Sequence, residues 1–201
     1  MKKITIFLVA VCLCFSVSGC STGAKPQSVV DKFFKAVKDC NSEELKSTVH
    51  SAEGDKVADG DVFADDTYKE IFKENAKIIK YKINNTTING DSAVLKVDCT
   101  YGDASEVFGI ALKSYMQKAL SAAFSANKTS EDETQKILSE EIQAAVKSTP
   151  LKTITKEIDI TCNKIDGKWL IASDDNLANI ILANMYTVFS DMANSFTGTS
   201  K

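Results

Sequence analysis

The stretch Asn89-Gly90-Asp91-Ser92-Ala93-Val94-Leu95-Lys96-Val97-Asp98-Cys99-Thr100-Tyr101 decides the fold. Asn-Gly-Asp is a tight-turn signal, because Asn and Gly accept the positive φ that a two-residue hairpin requires. After the turn, Ala93, Leu95, Val97, Cys99 and Tyr101 alternate with Lys96, Asp98 and Thr100. That period of two places every apolar side chain on one face of a strand. Before the turn, Ile79, Tyr81 and Ile83 alternate in the same way with Lys80 and Lys82. The pair reads as an antiparallel hairpin with one apolar face, which helices must cover.

Toward the C-terminus, residues 104–126 switch to helical spacing with a wide stripe that includes Val107, Phe108, Ala111, Leu112, Tyr115 and Leu120. A stripe that broad predicts cover on more than one side. Ser130 with Glu133 forms a capping box, and a second helix is predicted to end before Thr149-Pro150. The two helices make an inserted αα-hairpin over 104–147. Ile154, Ile158, Ile160 and Cys162 then lie on an extended run. Asp166-Gly167 turns it, and Trp169 and Ile171 share one face of a fourth strand. Ser173, Asp174 and Asp175 offer caps for one last helix, with a stripe from Leu177 to Phe196. If the strands flanking the insertion are neighbours, Cys99 and Cys162 are several residues out of register and more than 10 Å apart at ~3.3 Å per residue. A disulfide needs Cα atoms within about 7 Å, so both are expected as free thiols.

Toward the N-terminus, Val29, Val30, Phe33, Phe34 and Val37 repeat at helical spacing after Pro26, and Ser28 with Asp31 resembles a capping box. Asn41 with Glu44 restarts a short helix, expected to reach His50. Residues 51–66 are acidic and read as a loop, followed by a helix over 67–76 capped by Asp65 or Asp66. The expectation is an α+β domain, with N-terminal helices packed on a curved four-stranded antiparallel sheet, an inserted αα-hairpin and a C-terminal helix.

The first twenty residues carry a different message. Lys2 and Lys3 precede a fourteen-residue apolar run from Ile4 to Val17. As a helix this run spans about 21 Å, too short for a hydrocarbon core of roughly 30 Å, so it reads as the core of a signal peptide. Val17-Ser18-Gly19-Cys20 resembles the lipobox of bacterial lipoproteins, in which the cysteine is acylated, with palmitate among the chains, and the peptide is cut before it. The expected organisation is a signal over 1–19, lipidated Cys20 with a tether to 27, one domain over 28–196, and a tail over 197–201. Seven tether residues reach at most ~25 Å. The expected location is the extracytoplasmic face of the cell membrane, with the membrane as a partner through the lipid.

All 24 basic residues are Lys, and the chain of 201 residues carries 27 acids and a net charge of −3. Losing Lys2 and Lys3 with the signal would take this to −5. This balance provides no electrostatic footprint for nucleic acid and no polybasic membrane patch. The missing Arg suits an AT-rich, low-GC Gram-positive genome and removes the bidentate clamp for carboxylates and phosphates. Of the six cysteines, Cys12 and Cys14 fall in the signal and Cys20 is the acylation residue. Cys40, Cys99 and Cys162 remain, an odd number that reads as small buried hydrophobes rather than a disulfide framework.

Three segments together resemble one family: Pro26 to Lys38 (Pro-Gln-Ser-Val-Val-Asp-Lys-Phe-Phe-Lys-Ala-Val-Lys), Asn89 to Val97, and Asp166-Gly167-Lys168-Trp169-Leu170-Ile171. They resemble the cone-shaped nuclear transport factor 2-like domains of Gram-positive lipoproteins, many of unknown function. The resemblance covers roughly 26–175, and the long hairpin and final helix depart from the short form of that domain. It implies a concave sheet closed by helices, often around a pocket, with no fixed chemistry. In such a cone, Phe33, Phe72, Tyr81, Tyr101 and Trp169 are the candidate pocket lining, with Phe34 beside them; close packing is the simpler reading. His50 is the only histidine, so a His-based triad or His-rich metal site would depend on it, and it reads as a helix-end surface residue. Asp59, Asp61, Asp65 and Glu70 fall at calcium-loop positions 1, 3, 7 and 12, but Phe63 and Ala64 stand where an oxygen ligand and glycine belong. No cofactor motif is evident. The function expected is non-enzymatic binding of a small apolar ligand or a cell-envelope protein. The alternatives are a small-molecule enzyme using the cone pocket and a calcium-binding accessory protein.

Overall fold

The computed structural model describes residues 25–50, 62–124 and 131–197. In order, the elements are α1 (Pro26–Lys38), α2 (Ser42–Lys46), β1 (Val49–His50), α3 (Lys69–Ile78), β2 (Lys80–Asn89), β3 (Ser92–Asp103), α4 (Ser105–Phe124), α5 (Glu131–Ser148), β4 (Lys152–Ile165), β5 (Lys168–Ala172), α6 (Asp175–Ile181) and α7 (Met185–Thr197). The class is α+β, with seven helices among the described residues. The sheet has five strands, in the order β1-β5-β4-β3-β2, and is not the four-stranded antiparallel sheet expected. It is mixed and open: β1 pairs parallel with β5, every other pair is antiparallel, and β1 and β2 are its edges.

The fifth strand exists because α2 stops early. Asn41 caps it, its side chain accepting the Glu44 N–H at 3.0 Å. The helix ends at Lys46, where the Ser47 and Thr48 hydroxyls donate back to the carbonyls of Glu44 and Leu45 at 2.7 Å each. The freed backbone runs extended, and the Ile171 N–H donates to Thr48 O at 2.9 Å. His50 therefore lies on a strand, opposite Ala172, and not at a helix end.

The hairpin read from Asn89-Gly90-Asp91 is present: Asn89 pairs with Ser92, and Gly90 has φ 62°. Its alternation survives across β4, where Leu95 faces Ile160 and Ala93 faces Cys162. Cys99 faces Lys156, six positions from Ala93, so the two cysteines are about 20 Å apart along the strands. Both are free and buried. Burial pushes each thiol up to about 12, since a thiolate there would lose its hydration.

Other helix boundaries also differ from the sequence reading: α3 runs over Lys69–Ile78 with Tyr68 at its N-cap, not over 67–76 with an Asp65 or Asp66 cap. α1 begins at Pro26 with Lys25 at the N-cap, so the Ser28–Asp31 box does not form; the Asp31 carboxylate instead accepts the Tyr81 hydroxyl at 2.8 Å. α1 ends in a Schellman turn. Asn41 N–H reaches Ala36 O at 2.9 Å and Cys40 N–H reaches Val37 O at 3.2 Å, with Cys40 left-handed at φ 48°. The single C-terminal helix expected over 174–196 is two helices. Ala183 and Asn184 are left-handed, at φ 50° and 66°, and Asn184 N–H closes on Asn179 O at 2.8 Å.

The core has two parts. Under the sheet, α1 contributes Val30, Phe33, Phe34 and Val37, and α6 contributes Leu177 and Ile180; they pack on Leu95, Val97, Tyr101, Ile160 and Ile171. Full burial of each large apolar side chain contributes about 1.5–3 kcal/mol. Beyond the end of β3, Ile71 and Phe72 of α3, Val107, Phe108 and Ala111 of α4, Ile142 and Ala145 of α5, and Met185 of α7 form the second part.

Candidate functional site

Trp169 lies just after the turn that joins β4 to β5. Asp166 and Gly167 are both left-handed, at φ 49° and 79°, so the turn is tight and its direction is fixed. It brings Lys168 and Trp169 against the first two turns of α1, where Ser28, Val29 and Lys32 project, with Ser47 behind them. The space between is a partly open cleft of about 290 Å³. Neither Lys32 nor Lys168 has a carboxylate partner among the described residues. The Trp169 ring is half-buried and packs on the sheet-side core, so its position is held from behind.

The other candidate lining residues are placed elsewhere. Phe33 and Tyr101 lie inside the sheet-side core, and burial pushes the Tyr101 phenol up to about 12. Tyr81 stacks face to face on Phe34 with centroids 4.0 Å apart. Burial, then the hydrogen bond to Asp31, takes its phenol up to about 12. Phe72 belongs to the second core, edge-on to Phe63 at 5.4 Å. Phe33, Tyr81, Tyr101 and Trp169 thus share one packed cluster, and Phe72 stands outside it. The space between Leu45, Val49, Leu177 and Ile181 is about 10 Å³, at the lower limit for one water.

Cys20, Asp59 and Asp61 lie outside the described residues. Asp65 accepts the Thr67 N–H at 2.9 Å, and Glu70 pairs with Lys73 at 2.7 Å, which holds its carboxyl below the usual range. Among the described residues, no group of three His, Cys, Asp or Glu side chains is arranged to hold a metal ion.

A second polar cluster fastens the helices to the sheet. Asn75, fully buried, donates to Ile180 O and accepts Gly102 N–H, both at 2.8 Å. Asp103 accepts the Ser105 N–H at 3.0 Å, the Ser105 hydroxyl, and Asn184 Nδ2 at 3.0 Å. Burial works against the Asp103 charge, but these donors and Lys152 outweigh it and hold its carboxyl below the usual range. Every member has its partner, so the cluster acts structurally. Sequence reasoning missed it, because Asn75, Gly102-Asp103 and Asn184 come from three separate segments with no shared motif.

No family model matches the chain, and no curated protein matches it. Among solved structures, a candidate lipoprotein, ycdA of Bacillus subtilis, is similar at 18% identity and a TM-score of 0.41. The match covers 80% of this chain and 47% of that one, so the chain spans about half the length of that protein.

Proposed function

We propose that this chain is a lipid-anchored protein of the extracytoplasmic face whose α+β domain binds a ligand or a cell-envelope partner without catalysing a reaction. The observation that carries the anchor is the N-terminal pattern: Lys2 and Lys3, an apolar run too short to span a bilayer, then Gly19-Cys20. No helix among the described residues is long and apolar enough to cross a membrane. Attachment would therefore fall to the acylated Cys20.

What supports binding is the arrangement of the domain. One helix-covered sheet places an aromatic ring, two lysines and hydroxyls around a cleft at the start of α1. The nuclear transport factor 2-like resemblance belongs to the same reading: α1 lies across the sheet, and β2 to β5 form an antiparallel array behind it.

Metabolic labelling with an alkyne fatty acid tests the anchor. Wild-type chain takes up label and sediments with membranes; Cys20→Ser takes up no label and is either soluble or left unprocessed with its signal. Label retained by Cys20→Ser would sink the reading.

A further inference from the structure

The cleft at the start of α1 has a chemistry of its own. Lys32 and Lys168 supply two cations, no acidic residue among the described residues lines the space, and the chain as a whole is negative. Trp169 lines one side, and Val29 is the apolar residue of the opposite one. Ser28 and Ser47 line the same opening, and the Ser47 hydroxyl, which donates to Glu44 O, keeps its acceptor lone pairs for a ligand. We propose that this cleft binds a phosphate carried on a cyclic polyol or sugar, free in solution or as a lipid headgroup; the inference rests on the reading of the domain as a binding module.

Each part of the ligand has a counterpart. Lysine ammonium groups are point-charge partners for phosphate, and they take this role in a chain with no Arg. An indole face packs against the C–H face of a saturated ring, and the serines meet its hydroxyls. A volume of about 290 Å³ stands at the lower end of small-molecule clefts, enough for one ring with its charged substituent. The tight Asp166-Gly167 turn and the packing behind Trp169 hold the wall in place before a ligand arrives, which lowers the ordering cost of binding. The lipid source is within reach, because Ser28 is eight residues after Cys20, or roughly 28 Å of extended chain.

Trp169 is the only tryptophan, so its emission reads the cleft directly. The full chain is reconstituted in phosphatidylcholine vesicles and titrated with N-acetylglucosamine 1-phosphate, N-acetylglucosamine or inorganic phosphate. The sugar phosphate is expected to shift the emission saturably, with each half alone about ten-fold weaker or worse, a difference of ~1.4 kcal/mol. In Lys32→Ala/Lys168→Ala, whose altered side chains are exposed, the same titration weakens by a similar factor while circular dichroism and melting stay unchanged. If the natural source is a headgroup, including phosphatidylinositol in the vesicles shifts the emission without added ligand and blunts the response to the sugar phosphate. Emission unmoved by both the sugar phosphate and phosphatidylinositol, or an equal response in the double variant, overturns the inference. A chain that carries fatty-acid label on Cys20 yet shows no response fails this inference alone. A chain without label fails the anchor reading, and its tryptophan response still decides the cleft.

Discussion

Phe33 and Leu120 are both large apolar side chains on helices of more than ten residues, yet Phe33 is wholly buried and Leu120 is 60% exposed. Around Phe33 the pattern and the surroundings agree. α1 is apolar on one face, and the sheet offers one apolar face to receive it. α4 is apolar on most of its circumference. Among its described residues, Val107, Phe108 and Ala111 are buried, while Ile110, Met116 and Leu120 face outward. A helical stripe therefore reports burial only when the partner surface is as wide as the stripe. The energy of the fold should concentrate where the two widths match.

The largest effect should come from the matched side. Phe33→Ala removes a ring that is edge-on to Phe34 at 5.3 Å, and it leaves a cavity under the sheet. The expected loss is about 3–5 kcal/mol, read from urea unfolding of the full chain. A loss under about 1 kcal/mol would mean that the sheet-side core is loosely packed, and the contrast with α4 would collapse.

Next comes the joint between the two halves of the core. Asn75→Ala strands the Gly102 N–H and the Ile180 carbonyl, each now buried without a partner. About 2–3 kcal/mol should be lost, since each orphaned group costs about 1–3 kcal/mol before any relaxation. Gly102 has little room to help: a Cβ there would lie 3.0 Å from both Asn75 Oδ1 and Leu151 Cδ1. Full retention of stability in Asn75→Ala would show that water replaces the amide and that the two halves are not fastened at this point.

That joint also separates what the sequence disclosed from what it hid. The β2–β3 hairpin was legible because the Asn89-Gly90 turn and a strict period of two point to the same answer. The broken C-terminal helix was not, because Leu177, Ile181, Met185 and Val188 keep helical spacing across the break. Only Asn184 hinted at a left-handed residue, and Ala183, which carries φ 50°, gave no sign. β1 is two residues long and pairs in parallel, so it has no period to read. At the candidate site, Trp169 was singled out from the start. Lys32 and Lys168 were not, because they come from opposite ends of the chain and meet only when β5 lies beside α1.

Acid should loosen the joint before the core. The Asp103 carboxyl is held below its ordinary value by Ser105, Asn184 and Lys152 against the cost of burial. Its contribution is present above the unfolded value of about 3.9 and is lost as pH falls through the lower, folded one. Thermal melts of wild type and Asp103→Asn should therefore differ at neutral pH and converge as pH falls below about 4. A gap that does not narrow at all as pH falls below that value would mean that Asp103 acts through shape and not through charge.

The smallest effect is the most direct test of the comparison. Met116, 62% exposed, and Leu120 should tolerate Met116→Gln and Leu120→Gln together with a change within about 0.5 kcal/mol, because little apolar area leaves water there on folding. The same helix carries Ala111, fully buried in the second core, and Ala111→Gln should cost several times more by forcing a polar side chain into it. If the outward pair proved as costly as Ala111→Gln, and stability rose with protein concentration, the outer face of α4 would be covered in solution by a second molecule. The width of its stripe would then match its surroundings after all. If the pair is neutral at every concentration, the exposed face contributes nothing to folding, and the apolar excess on α4 has to be explained by something other than the stability of this domain.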